Sequence, residues 1–253
     1  GGPLSARDAE FFPGIGAPLI EGFGMTETSP VISVNRPGMI QPGTVGTPCR
    51  ETVIKISEYG EVLVRGPQVM KGYYKNRDAT RHAFTKEGYL KTGDMGHVDD
   101  EGFLRISGRI KDIIVTSGGK NIAPQNIEYR LRQSPYIESI AVVGDRRKYL
   151  SAIIIPSFDQ LYTWARKKGI EYFSKKELVT DERVINLISG EIEMLSEDFS
   201  RTERVRRFKL IDDMWSQETN ELTPTLKIRR QVIEEKYARE IEDMYPVESY
   251  LLQ

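Results

Sequence analysis

Gly108-Arg109-Ile110-Lys111-Asp112 is the stretch on which the chain changes character. Before it, from about residue 40, short β-prone runs are separated by Gly, Pro and Asp. They are Val53-Ile54-Lys55-Ile56, Glu61-Val62-Leu63-Val64-Arg65 and Gly102-Phe103-Leu104-Arg105-Ile106, with Asp99-Asp100-Glu101-Gly102 as a turn between two of them. After it, strands and helices mix. Ile113-Ile114-Val115 reads as a strand, and a helix follows with Pro124 in its first turn and Ile127 and Leu131 on one face. Apolar strands over 137–143 and 150–155 flank the basic turn Asp145-Arg146-Arg147-Lys148. Ser157 and Gln160 have the spacing of a capping box for a helix with Phe158, Leu161, Tyr162 and Ala165 on one side. Val184, Ile188, Ile192, Leu195 and Phe199 form a further stripe. The fold class is therefore α+β: a β-rich part over residues 1–108, a boundary at 109–112 and a small α+β domain over 113–253.

Upstream, residues 5–12 read as a short helix with Ser5 as N-cap and Pro13-Gly14 as its stop. Pro18-Leu19-Ile20 reads as a brief buried strand leading into Gly22-Phe23-Gly24. Within 253 residues there is room for two modest domains. The 36 basic and 37 acidic side chains nearly cancel, so net charge gives no push toward nucleic acid or an anionic surface. Arg204-Val205-Arg206-Arg207-Phe208-Lys209 is basic, yet the alternation of Phe208 and Leu210 with Arg207 and Lys209 fits a half-buried strand better than a nucleic-acid contact. Cys49 is the lone cysteine and favours a reducing, cytoplasmic setting without a disulfide framework. His82 and His97 lack the spacing of a metal site. No stretch approaches the roughly 20 apolar residues that span a bilayer, a pattern that leaves peripheral membrane contact open.

Four loops carry groups suited to a nucleotide. In Gly22-Phe23-Gly24-Met25-Thr26-Glu27-Thr28, the glycines permit close backbone approach to a ligand and Phe23 offers an aromatic face. Thr26 offers a hydroxyl and Glu27 a hard carboxylate of the type Mg2+ prefers. Asp94, read as lying in a turn after Thr92-Gly93, has the acceptor capacity for two hydroxyls at once. Arg109 supplies a fork of donors, and Lys227, in Leu222-Thr223-Pro224-Thr225-Leu226-Lys227, an ammonium on a flexible stem. Each has a plainer reading beside it: a strand-ending turn with an exposed Glu, an Asp serving its own turn, a surface Arg, and a solvated basic run from Lys227 to Arg230.

Taken in order, these loops resemble the adenylate-forming, AMP-binding enzymes, which include acyl-CoA synthetases, firefly luciferase and peptide-synthetase adenylation domains. The resemblance implies that residues 1–108 end the large AMP-binding domain and that 113–253 form its mobile lid. It implies that Phe23 borders adenine, with Gly22 and Gly24 in the same nucleotide-binding loop, that Thr26 meets the α-phosphate and Glu27 holds Mg2+, and that Asp94 takes the ribose hydroxyls and Arg109 the ribose or phosphate oxygens. Lys111 falls on the hinge position. Gly118, within Thr116-Ser117-Gly118-Gly119-Lys120-Asn121, falls where the pantetheine thiol of CoA passes; Lys120 receives no role. Lys227 becomes the catalytic lysine, although Leu226 stands where most members have Gly. Thr223-Pro224-Thr225-Leu226-Lys227 and Gly119-Lys120-Asn121-Ile122-Ala123-Pro124 resemble the long-chain fatty-acid CoA ligases in particular. The implied substrates are a fatty acid, ATP and CoA. An adenylate-forming ligase for an aryl or amino acid is the nearer alternative, and a non-catalytic binding module the farther one. The family's Ser/Thr/Gly-rich phosphate loop has no counterpart in the chain, so these residues by themselves are expected to be inactive or nearly so.

Overall fold

Glu61–Arg65 (β5) places Val62, Leu63 and Val64 side by side, all buried. Consecutive burial means that both faces of this β-branched strand are covered. It lies between Val53–Ile56 (β4) and Leu90–Val98 (β6), and β6 pairs in turn with Leu104–Arg109 (β7), giving an antiparallel sheet in the order β4-β5-β6-β7. In β4 exposure alternates residue by residue, as a half-covered edge strand requires. A smaller antiparallel sheet joins Gly22–Phe23 (β1), Ser33–Val34 (β2) and Thr47–Pro48 (β3). Ile32, Val62, Val64 and Leu104 form the core of this unit, with Phe23, Met25, Ile54, Ile56 and Ile106 packed around it. A short helix, Arg77–Ala83 (α1), is capped by Asn76, whose Oδ1 accepts from Ala79 N.

The computed structural model describes residues 11–12, 14–17, 19–224 and 226–246. It divides into two compact units, Gly1–Lys111 and Asp112–Gln253. In the second unit, Ile114–Val115 (β8) pairs with Asn121–Ile122 (β9), and Pro124–Leu131 (α2) follows with Ile127 and Leu131 buried. Ile137–Val143 (β10) and Leu150–Pro156 (β11) form an antiparallel hairpin, and Val205–Leu210 (β12) joins β11 in parallel. The crossover between β11 and β12 runs through Phe158–Lys167 (α3), Lys175–Thr180 (α4) and Glu182–Leu195 (α5). Every residue of β11 is buried. Arg230–Lys236 (α6) packs against β10 and Ala238–Asp243 (α7) against β11. The apolar stripes of α2, α3 and α5 all enter one core with the sheet.

Several expectations from the sequence need correction. Leu19 and Ile20 are not strand, and Ile20 is exposed. The ladder starts at Glu21, whose carbonyl accepts from Asn35 N, so the strand falls on Gly22–Phe23 instead. Thr92-Gly93-Asp94 is not a turn but the middle of β6. Ser157 does sit at the N-cap of α3, but its side chain makes no capping bond, so there is no capping box with Gln160. The junction is held by the backbone instead: Ser157 N donates to Tyr136 O and Leu161 N donates to Ser157 O. The helix expected over 5–12 lies outside the described residues except for Phe11 and Phe12, which are helical; Gly14, expected to stop it, is helical too. Among the described residues no helix is long and apolar enough to cross a membrane.

Leu131 is fully buried against the sheet, whereas Tyr59 is 78% exposed. Leu131→Ala should therefore lower the unfolding free energy by about 2–5 kcal/mol, and Tyr59→Ala by less than about 0.5 kcal/mol, in urea titrations.

Candidate functional site

The first loop is shaped by Gly24 and Thr28. A Cβ on Gly24 would lie 1.7 Å from the Pro30 carbonyl oxygen, so the chain's own return path excludes a side chain there. That requirement is internal and needs no ligand to explain it. Thr28 is fully buried and bonds both ways with Met25: Met25 N donates to its Oγ1 at 3.1 Å, and Oγ1 donates to Met25 O at 2.9 Å. This closes a 3₁₀ turn over Thr26–Thr28, leaving Thr26 exposed and Glu27 half-exposed. Tyr73 Oη donates to Glu27 Oε1 at 2.9 Å, and the carboxylate beside it, followed by burial, raises the Tyr73 hydroxyl above its usual range. Met70 N donates to Glu27 O at 2.8 Å, which ties the turn to the segment after β5. Gly22 is exposed and Phe23 half-buried against the core, so part of the ring is engaged by the fold itself.

Asp94 owes its position to a bulge. Gly93 adopts a left-handed φ of 71° within β6, a conformation costly for other residues. Its N donates to Glu61 Oε1 at 3.1 Å. Thr92 Oγ1 donates to Val62 O at 2.8 Å and accepts from Asp94 N at 3.1 Å. Beyond the bulge, Asp94 faces Arg109 across the β6–β7 ladder, and Arg109 Nε stands 3.1 Å from Asp94 Oδ1. The Asp94 side chain is 10% exposed and that of Arg109 is 52% exposed. A carboxylate so deeply set needs a cationic partner. Because the arginine is half in water, the net contribution of the pair is about 1 kcal/mol or less.

In the second unit, the 116–121 loop is a tight turn. Gly119 N donates to Thr116 O at 2.8 Å, and Lys120 N to Thr116 Oγ1 at 3.2 Å. Lys120 has a structural role here: its Nζ donates to Ser200 Oγ at 3.0 Å and Thr202 Oγ1 at 2.8 Å. Gly118 is exposed, and a Cβ added to it would meet only Thr116 Oγ1 at 3.9 Å. Unlike Gly24, it is not demanded by the surrounding fold.

Lys227 is exposed at the end of a turn. Leu222 and Ile228 form a bridge; Thr223 N donates to Lys227 O and Leu226 N to Thr223 O, each at 2.8 Å. Lys227 N donates to Thr223 Oγ1 at 3.0 Å, and Leu226 takes a left-handed φ of 58°. Thr225 lies outside the described residues.

Two ion-paired clamps hold this turn from beneath, and sequence reasoning missed both. Glu221 is 1% exposed; its Oε1 lies 2.8 Å from Lys236 Nζ, which also lies 2.9 Å from Asp213 Oδ2. Tyr237 Oη donates to Asp213, and Trp215 Nε1 donates to Tyr237 Oη. Burial alone would push the Glu221 carboxyl up, but the Lys236 ammonium and the Thr219 hydroxyl outweigh it and lower it to about 2. In the second clamp Arg230 Nη2 donates to Glu128 Oε1 at 2.6 Å, Glu128 Oε1 accepts from Val142 N at 2.7 Å, and Arg230 also reaches Val142 O. Arg230 is thus set into the unit, against the plainer reading of residues 227–230 as a solvated run. Glu128 was visible in sequence as a carboxylate beside Ile127 on the apolar face of α2; its partner, 102 positions away, was not.

Thr26 and Glu27 therefore share one turn, and Asp94 and Arg109 one cross-strand pair, in the first unit. Gly118 and Lys227 belong to the second, and Lys111 lies in a 3₁₀ turn over Ile110–Asp112. Among the described residues no three His, Cys, Asp or Glu side chains cluster as a metal site. Glu27 alone suits an Mg2+ that arrives with a nucleotide, because this ion is commonly held by one or two carboxylates plus phosphate oxygens.

Solved structures share this fold. The A domain of carboxylic acid reductase from Segniliparus rugosus superimposes with a TM-score of 0.77 at 21% identity, over 97% of this chain and 38% of that one. O-succinylbenzoate coenzyme A synthetase from Bacillus subtilis, solved with ATP and magnesium ion, gives a TM-score of 0.67 at 26% identity, over 91% and 44%. The chain shares the fold of the corresponding part of both structures. Residues 111–249 match the AMP-binding enzyme C-terminal domain, and residues 1–74 match the AMP-binding enzyme model. The chain belongs to the AMP-binding enzyme family. It is 39% identical over 97% of its length to long-chain-fatty-acid--CoA ligase FadD15 of Mycobacterium bovis, and 33% identical over 92% to long-chain-fatty-acid--CoA ligase 6 of Rattus norvegicus. It spans 41% and 35% of those relatives.

The Glu221 clamp has a pH signature. A carboxyl lowered from 4.5 to about 2 on folding contributes its full stabilisation above pH 4.5 and loses it as pH falls toward 2. That contribution is on the order of 3 kcal/mol. Stability measured by denaturant titration should drop across this window, and Glu221→Gln should flatten the drop while lowering stability at neutral pH.

Proposed function

We propose that the enzyme containing this chain activates a fatty acid with ATP and then transfers the acyl group to CoA. The observation that carries the proposal is the Asp94–Arg109 pair: a deeply set carboxylate beside a half-exposed guanidinium, in a chain 39% identical to a named long-chain-fatty-acid--CoA ligase. In the first step a carboxylate oxygen attacks the α-phosphorus of ATP and pyrophosphate leaves. In the second, the CoA sulfur attacks the acyl carbonyl, AMP leaves, and the thiol proton passes to solvent.

Asp94 would accept from the ribose hydroxyls, with Arg109 fixing its orientation and donating to nearby oxygens. Phe23, with Gly22 and Gly24, would border adenine. Thr26 would meet the α-phosphate, and Glu27 would hold the magnesium that accompanies ATP. Lys227 would reach between the substrate carboxylate and the α-phosphate and offset charge developing at phosphorus. Lys111 would be the pivot between half-reactions, its backbone absorbing the rotation that withdraws Lys227 and presents Gly118 to the CoA thiol. A glycine that the fold does not require is consistent with that close approach. The half-buried free thiol of Cys49 fits a reducing, cytoplasmic setting.

In the enzyme containing this chain, Lys227→Ala should depress fatty-acid-dependent ATP–pyrophosphate exchange by at least about 100-fold. Thioester formation from supplied acyl-adenylate should stay within a few-fold of wild type. Equal losses in both half-reactions would contradict the assignment, and faster turnover of an aryl acid than of any fatty acid would contradict the substrate.

A further inference from the structure

Phe173 is 93% exposed, more than any other large apolar side chain among the described residues. It sits in the turn joining α3 to α4, and this turn is firmly built. Ile170 is buried, with its N donating to Ala165 O at 2.9 Å. Tyr172 stacks on Tyr162, with ring centroids 5.5 Å apart and planes within 7°. Glu177 Oε2 accepts from Phe173 N at 2.9 Å, while Ser174 Oγ caps α4 by accepting from Glu177 N at 3.2 Å. The ring is thus held outward by structure on both sides.

The turn is also strongly basic. Arg166, Lys167, Lys168, Lys175 and Lys176 stand against Glu171 and Glu177, in a chain whose net charge is −1. All five cations are exposed, and Lys175 Nζ lies 4.6 Å from the Phe158 ring centroid at the base of the turn. We propose that residues 166–176 rest on an anionic lipid bilayer, with Phe173 inserted at the level of the acyl chains and the lysines among the headgroups.

A single exposed apolar side chain ordinarily carries no meaning. Here it combines a fixed outward position with five exposed cations in the eleven residues around it, 166–176, whose long stems can lie along a membrane while their heads stay hydrated. A protein partner is the weaker occupant: Phe173 is the one strongly exposed large apolar residue between Phe158 and Asp181, too little for an interface of roughly 800 Å² per side. A bilayer needs only the one ring when basic residues supply the second, electrostatic attachment. The inference stands independently of the acyl-activation reading.

Flotation of the enzyme containing this chain with vesicles tests it. The enzyme should float with phosphatidylcholine vesicles containing about one-third phosphatidylserine, and should not float with phosphatidylcholine alone. Phe173→Ser should lower the partition coefficient about tenfold or more. Replacing Lys167, Lys168, Lys175 and Lys176 together by Gln should lower it more than about 100-fold, at roughly fivefold per residue. Phe173→Ser should keep the wild-type melting temperature, and the lysine variant should stay within about 2–4 °C of it, since the altered side chains are exposed and only Lys175, over the Phe158 ring, makes a ring contact. No flotation with anionic vesicles, flotation equal on neutral ones, or Phe173→Ser binding like wild type would each overturn the proposal.

Discussion

A carboxylate withdrawn from water must keep a cation or a set of donors beside it, and this chain uses that constraint repeatedly to fix its loops. Asp94 is matched by Arg109, Glu128 by Arg230, and Glu221 by Lys236, each pair at 3.1 Å or less. Removing one partner from such a pair leaves a buried charge uncompensated, which is far costlier than the pair is favourable. Each pair therefore acts as a register pin. The first sets where β6 and β7 face each other, and the other two set where the Lys227 turn leaves the folded body.

Hydroxyls and glycines do the complementary local work. Thr28 closes the turn that exposes Thr26, Thr92 stitches the bulge that redirects Asp94, and Thr223 shapes the turn that ends at Lys227. Gly24 is fixed by a carbonyl that leaves no room for a Cβ, and Gly93 by its left-handed backbone. Gly118 is neither crowded nor at a left-handed φ.

Much of this was legible in sequence because its causes are local. The 3.6-residue stripes of α2, α3 and α5, the apolar run of β5, and the apolar strands expected over 137–143 and 150–155, found at 137–143 and 150–156, all declare themselves within a few residues. What misled was geometry set by distant partners. Thr92-Gly93-Asp94 looks like a turn, yet β5 and β7 on either side keep it in a strand and reduce the turn to a bulge. Ser157 and Gln160 have the capping spacing, but the Ser157 N–H is already claimed by Tyr136 O. The Glu128–Arg230 and Glu221–Lys236 pairs bridge separations of 102 and 15 positions, which no short-range pattern encodes.

The central claim is that Asp94, braced by Arg109, reads a ribose diol. Its most direct test is the apparent affinity for ATP against 2′,3′-dideoxy-ATP, measured in the enzyme containing this chain for wild type and for Asp94→Asn. Loss of hydrogen bonds to a charged acceptor should weaken dideoxy-ATP roughly 10- to 100-fold in wild type. In Asp94→Asn the two nucleotides should bind nearly alike. A dideoxy penalty that persists undiminished in Asp94→Asn would contradict the account.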